Sequence, residues 1–485
     1  MELESMMAAS TYRPTVETVE DTSIRDFPSL DSSDLYSLVP FPNDYWARAE
    51  TRNCFTTEQD DIQVTLSDVK LGSDVQVHSL ESLAELRAWK SEFGSHKSEL
   101  RVISVDQMYS RGPINMNRDI FQEVINIAGA SSEILEYALA FCEKIVEVEE
   151  AFSSAPIFKS NAHSIEIAYV TKYAFCKTGE DKLDPWRIRQ TAVYQVYDTE
   201  SNQSTWIFLN PTLDCAFQKR LYKLLRDPSQ VQAFKDQPLL IHNILFGTFF
   251  PLWRDYLAYH ERKILTIANK NMAQRLEEEL RLNHETLNTV RHTEARCLSL
   301  VPIFRSLQRN FQALGYFNDA LAERKITKQS DAHSMKQLLC NSVSMVDAYS
   351  QQAKFLSSRA ACLAVSITDT LSFKDSYTAK IQSRYMLDLT LSTVDDSITV
   401  RVITIVTLIY LPSTFMAALL GMNSFFEMDP DNHNLVVSRQ FWIYVVLSVP
   451  LTAATLLYWW FSKNAKQRAK SNCIEDMMER GSLDD

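Results

Sequence analysis

The sequence predicts an α+β membrane protein, with a cytosolic α/β domain, a long helical stalk and two C-terminal transmembrane helices. Three observations carry that prediction. Up to about residue 240, strand-like and helix-like segments interleave, the pattern of an α/β domain. No proline occurs between Pro302 and Pro412, so nothing in that stretch forces a helix to break. Near the C-terminus, residues 402–420 and 441–461 carry no charge. At about 1.5 Å rise per residue each run spans about 30 Å, the thickness of a bilayer's hydrocarbon core.

Composition narrows the class. The 485 residues are 46% hydrophobic and 23% charged, close to globular averages, which excludes wholesale disorder and fibrous repeats. The net charge of -12, from 49 basic and 61 acidic residues, argues against a nucleic-acid partner, because duplex affinity rests on cationic contacts to phosphates. Only 9 glycines are present, which suits a helical scaffold better than a glycine-loop nucleotide fold. The eight cysteines form no CxxC pair and do not cluster with histidines. That leaves neither a zinc site nor a disulfide framework to expect, only reduced thiols.

Residues 1–34 read as a disordered cytosolic tail. They are rich in Ser, Thr, Asp, Glu and Met, and the acidic start fits neither a secretory signal nor a transit peptide. Residues 35–240 read as the cytosolic α/β domain. Strands are expected at 101–105, 164–170, 192–197 and 205–209. Helices are expected at 117–128, capped by Asn117, and at 132–147, capped by Ser132. Residues 241–400 read as the helical stalk. In it Leu339, Val346, Tyr349, Ala353, Leu356, Ala360 and Leu363 follow steps of three and four, apart from one missed step at Ser342. Such a seam suits a coiled coil or the buried face of a bundle helix, and the spacing does not choose.

Residues 401–462 read as a two-span transmembrane unit, with spans at 402–421 and 441–461, and residues 463–485 as a cytosolic tail. Arg401 precedes the first span, and Lys463, Lys466, Arg468 and Lys470 follow the second. The connecting residues 424–440 hold Arg439 against Glu427, Asp429 and Asp431. By the positive-inside rule both termini are cytosolic and the loop is outside. Trp442 and Tyr444 at one end of the second span, and Tyr458, Trp459 and Trp460 at the other, stand where aromatic belts form. Pro412 and Pro450 fall inside the spans as structural kinks.

Where the first span ends the chain reads Tyr410-Leu-Pro-Ser-Thr-Phe-Met-Ala-Ala-Leu-Leu-Gly-Met-Asn423. This resembles the CorA family of magnesium channels, in which a Gly-Met-Asn tripeptide closes the first of two C-terminal spans before a short acidic outer loop. Pro412, Thr414, Phe415, Ala417, Gly421, Met422 and Asn423 stand at the family's spacing. The segment from Asp184-Pro-Trp-Arg to Tyr194, with Trp206–Leu209, is similar to the N-terminal domains of fungal CorA-like proteins. Leu420 and Ser424 stand where the family often has Tyr and an aromatic residue, so magnesium against zinc or another divalent cation stays open.

The resemblance implies a homopentamer with a selectivity filter at Gly421, Met422 and Asn423. Magnesium sheds water reluctantly, so amide and carbonyl oxygens there would meet a hydrated ion. A hydroxyl stripe leads to the tripeptide. Thr390, Thr393, Ser397, Val400, Thr404, Thr407, Leu411, Thr414, Ala418 and Gly421 share one helix face. From Ser397 to Ala418 this face is the expected pore lining, with Val400 and Leu411 as apolar rings that gate by dewetting. The plainer reading is that each hydroxyl bonds to its own helix. Glu427, Asp429 and Asp431 suit a charged ring above the mouth or a solvated turn. Asp375, Asp388, Asp395 and Asp396 precede the span. In the family, acidic residues between cytosolic subunits bind regulatory magnesium, which makes Asp388, Asp395 and Asp396 candidates.

No Ser/His/Asp or paired-carboxylate spacing suggests an enzyme. The expectation is a magnesium pathway with no cofactor beyond the ion, partnered by its own copies and the bilayer, in the plasma membrane. The rival is a membrane-anchored signalling or scaffold protein that keeps the fold and conducts nothing.

Overall fold

The structure is a computed structural model. It describes residues 37–56, 62–70, 75–94, 98–144, 149–177, 184–275, 278, 280–421, 426–428, 435–437, 439 and 441–481. Backbone alone is described for 391–392, 394–399, 419–420, 426–428, 435–437, 462–463 and 465–481. The expected tail at 1–34 lies outside the described residues. Contacts divide the chain into two compact units, residues 1–371 and 372–485.

The first unit is built on a seven-stranded sheet of β1 (Val64–Val69), β2 (Gln76–Leu80), β3 (Leu100–Asp106), β4 (Ile157–Ser160), β5 (Ser164–Cys176), β6 (Trp186–Asp198) and β7 (Gln203–Asn210). The order is β2-β1-β3-β7-β6-β5-β4. β3 and β7 run parallel, and every other neighbouring pair is antiparallel. All four expected strands are present. β5 and β6 each run 13 residues, longer than expected. They outreach the rest of the sheet, since β7 pairs with β6 only from Ala192 to Asp198.

Alternate residues on a strand face opposite sides. Here both sides are apolar, because helices cover both. Val102, Ile167, Tyr169, Val193, Trp206 and Phe208 belong to one core. Their neighbours Ile103, Ala168, Val170, Ala192, Ile207 and Leu209 belong to the other. The second core is closed by α1 (Pro42–Thr51), α2 (Leu83–Phe93), α3 (Arg118–Ala128) and α4 (Ile134–Ala138). Asn117 caps α3 as expected, its Oδ1 accepting from the Ile120 amide at 2.9 Å. Gly129 ends α3 in the left-handed region at φ 62°, where glycine carries no Cβ penalty.

Up to residue 144 the helix expected at 132–147 is corrected to the five residues of α4, with Glu133 rather than Ser132 at its start, and residues 145–147 lie outside the described residues. Tertiary contacts replace the helical ladder beyond it. The Glu143 amide donates to Asn53 O and the Lys144 amide to Arg111 O. Buried Glu133 accepts from the Leu38 amide at 3.0 Å and pairs with Lys159 at 2.7 Å.

The first core is closed by α5 (Ala216–Leu225), α6 (Pro228–Asp236), α7 (Leu240–Met272), α8 (His284–Glu323) and the start of α9 (Gln329–Leu420). The seam from Leu339 to Leu363 lies in this core, with Val346, Ala353, Leu356 and Ala360 fully buried. Tyr349 meets Phe304 of α8 with ring centroids 6.1 Å apart. The seam is thus the inward face of a bundle helix within one chain.

A polar chain crosses the same core. The Tyr169 hydroxyl lies 2.7 Å from His242 Nδ1, and His242 Nε2 lies 2.8 Å from Gln195 Oε1. Gln195 Nε2 donates to Ser204 Oγ at 3.0 Å. Gln195 therefore accepts from His242, and His242 accepts from Tyr169, which assigns a neutral imidazole protonated at Nε2. Burial pushes His242 down to about 3.

In the second unit, α9 runs to Leu420 and α10 covers Phe441–Gly481. Between them β8 (Phe426–Met428) and β9 (Leu435–Val437) pair antiparallel.

Candidate functional site

Residues Val400–Ala418 and Phe441–Phe461 are long and apolar enough to cross a membrane. Only 11% of the first and 6% of the second is buried, whereas the core helix of a soluble protein hides most of its surface. Val402, Ile403, Val406, Ile409, Tyr410 and Phe415 are exposed on the first helix. Trp442, Val446, Val449, Leu457, Tyr458, Trp460 and Phe461 are exposed on the second.

The two helices meet on a narrow strip. Pro412, Met416 and Ser448 are buried, and Tyr444 Oη donates to the Ser413 carbonyl at 3.3 Å. The sequence reading did not foresee this contact, because it joins residues 31 positions apart. Two open clefts flank the helices. One is lined by Leu411, Thr414, Phe415, Leu451 and Thr455, and the other by Thr404, Leu408, Ala454 and Tyr458. Three residues of the hydroxyl stripe therefore share clefts with the second helix.

The stripe's hydroxyls have defined partners. Thr404 Oγ1 donates to Val400 O at 2.7 Å and Thr407 Oγ1 to Ile403 O at 2.7 Å. Thr414 Oγ1 donates to Tyr410 O at 2.9 Å. Thr390 and Thr393 repeat the pattern one turn back along their helix. All five side chains are exposed. A hydroxyl that spends its proton on its own helix keeps its oxygen lone pairs for whatever lies outside. The exposed surface at these positions therefore accepts hydrogen bonds. Val400, Leu411 and Ala418 are exposed on the same stripe, and Ser397 is described by backbone alone.

Gly421 stands in the turn that ends α9, its amide donating to Ala417 O at 2.7 Å. A Cβ there would lie 2.5 Å from that same oxygen, well inside van der Waals contact, so glycine is the residue that fits. Met422, Asn423, Asp429 and Asp431 lie outside the described residues. Glu427 lies on β8, described by backbone alone.

Of the candidate regulatory residues, Asp375 and Asp388 are exposed on α9, and Asp395 and Asp396 are described by backbone alone. Among the described residues no group of three or more His, Cys, Asp or Glu is placed to hold a metal.

Comparison with known proteins bears on the first unit. Residues 43–272 match the family model described as CorA-like transporters. Over that stretch the chain is similar to CorA-like transporters. The match covers the sheet and α7, including the segment from Asp184 to Tyr194, and not the tripeptide. Among solved structures, the cytoplasmic domain of ZntB from Vibrio parahaemolyticus is similar at 10% identity and TM-score 0.36. That similarity covers 64% of this chain and 98% of the ZntB domain. The full-length CmaX protein is similar at 14% identity and TM-score 0.33, over 84% of this chain and 99% of its own. No curated protein matches the chain.

Proposed function

We propose that this protein conducts hydrated divalent cations across a membrane, magnesium foremost, as a homopentamer. The observation that carries this reading is the row of exposed threonine oxygens, all acceptors, leading along α9 to a turn that only glycine fits. A hydrated cation presents its water hydrogens outward, and acceptor oxygens complement them. Asn423, two residues beyond the turn, would add a ring of amide oxygens at the mouth. Val400 and Leu411 would form the apolar rings, and the acidic residues at 427, 429 and 431 would gather cations outside.

Self-association is supported by apolar side chains exposed in the single chain, among them Phe373, Tyr385, Met386 and Leu389 on α9. The basic residues at 401, 463, 466, 468 and 470, against the acidic connection, support cytosolic termini. Catalysis has no part in this reading. Asp388, Asp395 and Asp396 are proposed as the regulatory magnesium ligands.

The test is uptake of magnesium into vesicles reconstituted with purified protein, with zinc as competitor and the subunit count taken by native mass spectrometry. Magnesium uptake by a pentamer is expected. Uptake of zinc alone would reassign the ion, and uptake of neither would make the protein a scaffold.

A further inference from the structure

The sheet of the first unit carries a second feature that the transport reading does not use. β3 and β7, its parallel pair, end side by side at Asp106 and Asn210. The crevice beyond the carboxyl ends of parallel strands is where α/β sheets commonly hold ligands. Here the crevice is walled on its far side by the overhanging part of the β5–β6 ribbon, from which β7 has already departed. The result is a cleft of about 370 Å³, within the size range of small-molecule sites.

Its lining is strongly basic, although the chain as a whole carries -12. Arg111, Lys144, Lys172, Lys177, Arg187 and Arg189 line it, against the two carboxylates of Glu149 and Glu150. Both carboxylates are engaged by arginines from outside the cleft. Arg52 Nη2 donates to Glu149 at 2.7 Å, and Arg296 Nη1 to Glu150 at 3.0 Å. Six cations thus stand along the lining beside two carboxylates.

Several of these cations are held by neutral groups. Lys172 is buried, its Nζ donating to the carbonyls of Glu149 and Glu150 at 2.7 and 2.9 Å. Burial, with Lys144 nearby, pushes it down to about 8. Arg187 Nη1 donates to the carbonyls of Asp184 and Trp186. The Arg189 guanidinium lies 3.6 Å over the Phe175 ring. Its Nε is buried without a hydrogen-bond partner among the described residues. A buried guanidinium donor left unpaired is costly, and an anion in the cleft would remove that cost.

We propose that this cleft binds a small soluble polyphosphate, a chain of two or more phosphates, bare or carried by a nucleoside. A chain of phosphates meets more of the six lining cations at once than a single phosphate or a dicarboxylate does. Arginine forks match phosphate oxygens in pairs. The half-exposed Tyr109 ring on the wall offers a stacking face to a nucleoside. A long nucleic acid is disfavoured by the cleft's size and by the chain's overall negative charge. The inference stands apart from the transport reading, since binding is measured without ion flux.

The experiment is titration calorimetry on the full chain in detergent, at near-physiological salt and without magnesium, using sodium tripolyphosphate, ATP and citrate. Tripolyphosphate and ATP should bind, and citrate should bind at least about tenfold more weakly. Arg189→Gln and Arg187→Gln should each weaken tripolyphosphate about tenfold or more, the scale of a charge-assisted hydrogen bond. Lys219→Gln, an exposed cation outside the cleft, should change nothing. Thermal unfolding confirms that each variant is folded, and two arginines are tested so that one unfolded variant does not void the result. ATP binding more tightly than tripolyphosphate would place the nucleoside on the wall, and equal binding would restrict contact to the phosphate chain; either supports the proposal. Absence of binding by both, citrate binding equally well, or unchanged affinity in a folded arginine variant would overturn it.

Discussion

The two units of this chain place their large apolar side chains in opposite ways. In the first, Trp206, Trp253, Phe304 and Phe311 are almost wholly buried. Polar groups inside, such as His242 and Gln195, are joined by hydrogen bonds. In the second, Val402, Ile403, Tyr410, Trp460 and Phe461 face outward, while the threonine hydroxyls turn back to their own helix. Residue types alike in hydropathy are therefore sorted by what surrounds them. Burial against protein explains the first unit, and the proposed membrane setting would explain the second.

The largest expected effect tests that contrast directly. Trp253 packs against Phe304 with ring centroids 4.9 Å apart. Trp253→Ala should cost the first unit about 3–5 kcal/mol, the range for emptying an aromatic core position. Val402→Ala should leave that unit's unfolding unchanged. Denaturant unfolding followed by tryptophan fluorescence checks both, and equal losses would break the comparison.

Acid should act on the first unit through His242. Its folded pKa of about 3 lies below the ordinary 6.5. Between those values the unfolded chain binds a proton that the folded chain refuses. Its stability contribution is thus present above about pH 6.5 and falls as the pH drops toward 3, on the order of 1.4 kcal/mol per pH unit. Unfolding free energy measured between pH 7 and 4 should show this slope, and His242→Gln should flatten it.

At the end of α9, Gly421→Ala forces a Cβ toward Ala417 O. Relieving so close a contact by a shift of the turn costs about 1–3 kcal/mol, the range for overpacking. The variant should assemble but carry less magnesium, measured as vesicle uptake at equal protein. Uptake equal to the parent's would mean that the turn does not shape the mouth.

The smallest effect concerns the outer charges. Glu427, Asp429 and Asp431 replaced by their amides should slow uptake a few-fold at low ionic strength. The difference should fade near 0.1 M salt, where screening acts within about 10 Å. A salt-independent loss would give these residues a structural role.

Much of this was legible in the sequence, and the failures have physical causes. Strands rich in β-branched and aromatic residues, such as β6 and β7, announced themselves. β1 did not, because Ser67 and Asp68 interrupt its apolar run, and Asp68 is tolerated there only through its 2.8 Å pair with Arg101. The helix expected at 132–147 stops early because the Glu143 and Lys144 amides bond to distant segments. In the second unit the hydroxyl stripe followed from helical spacing, and Gly421 from the resemblance carried by the tripeptide. The basic cleft could not, since its cations are scattered from Arg111 to Arg189 and meet only through strand topology.

The central claim is that α9 ends in a cation filter, and Asn423→Ala addresses it most directly. Magnesium uptake is measured in vesicles holding equal amounts of wild type and variant, with subunit assembly checked in both. The account predicts uptake in the wild type and its loss in the variant, with assembly unchanged. Uptake at the wild-type rate in the variant would contradict it.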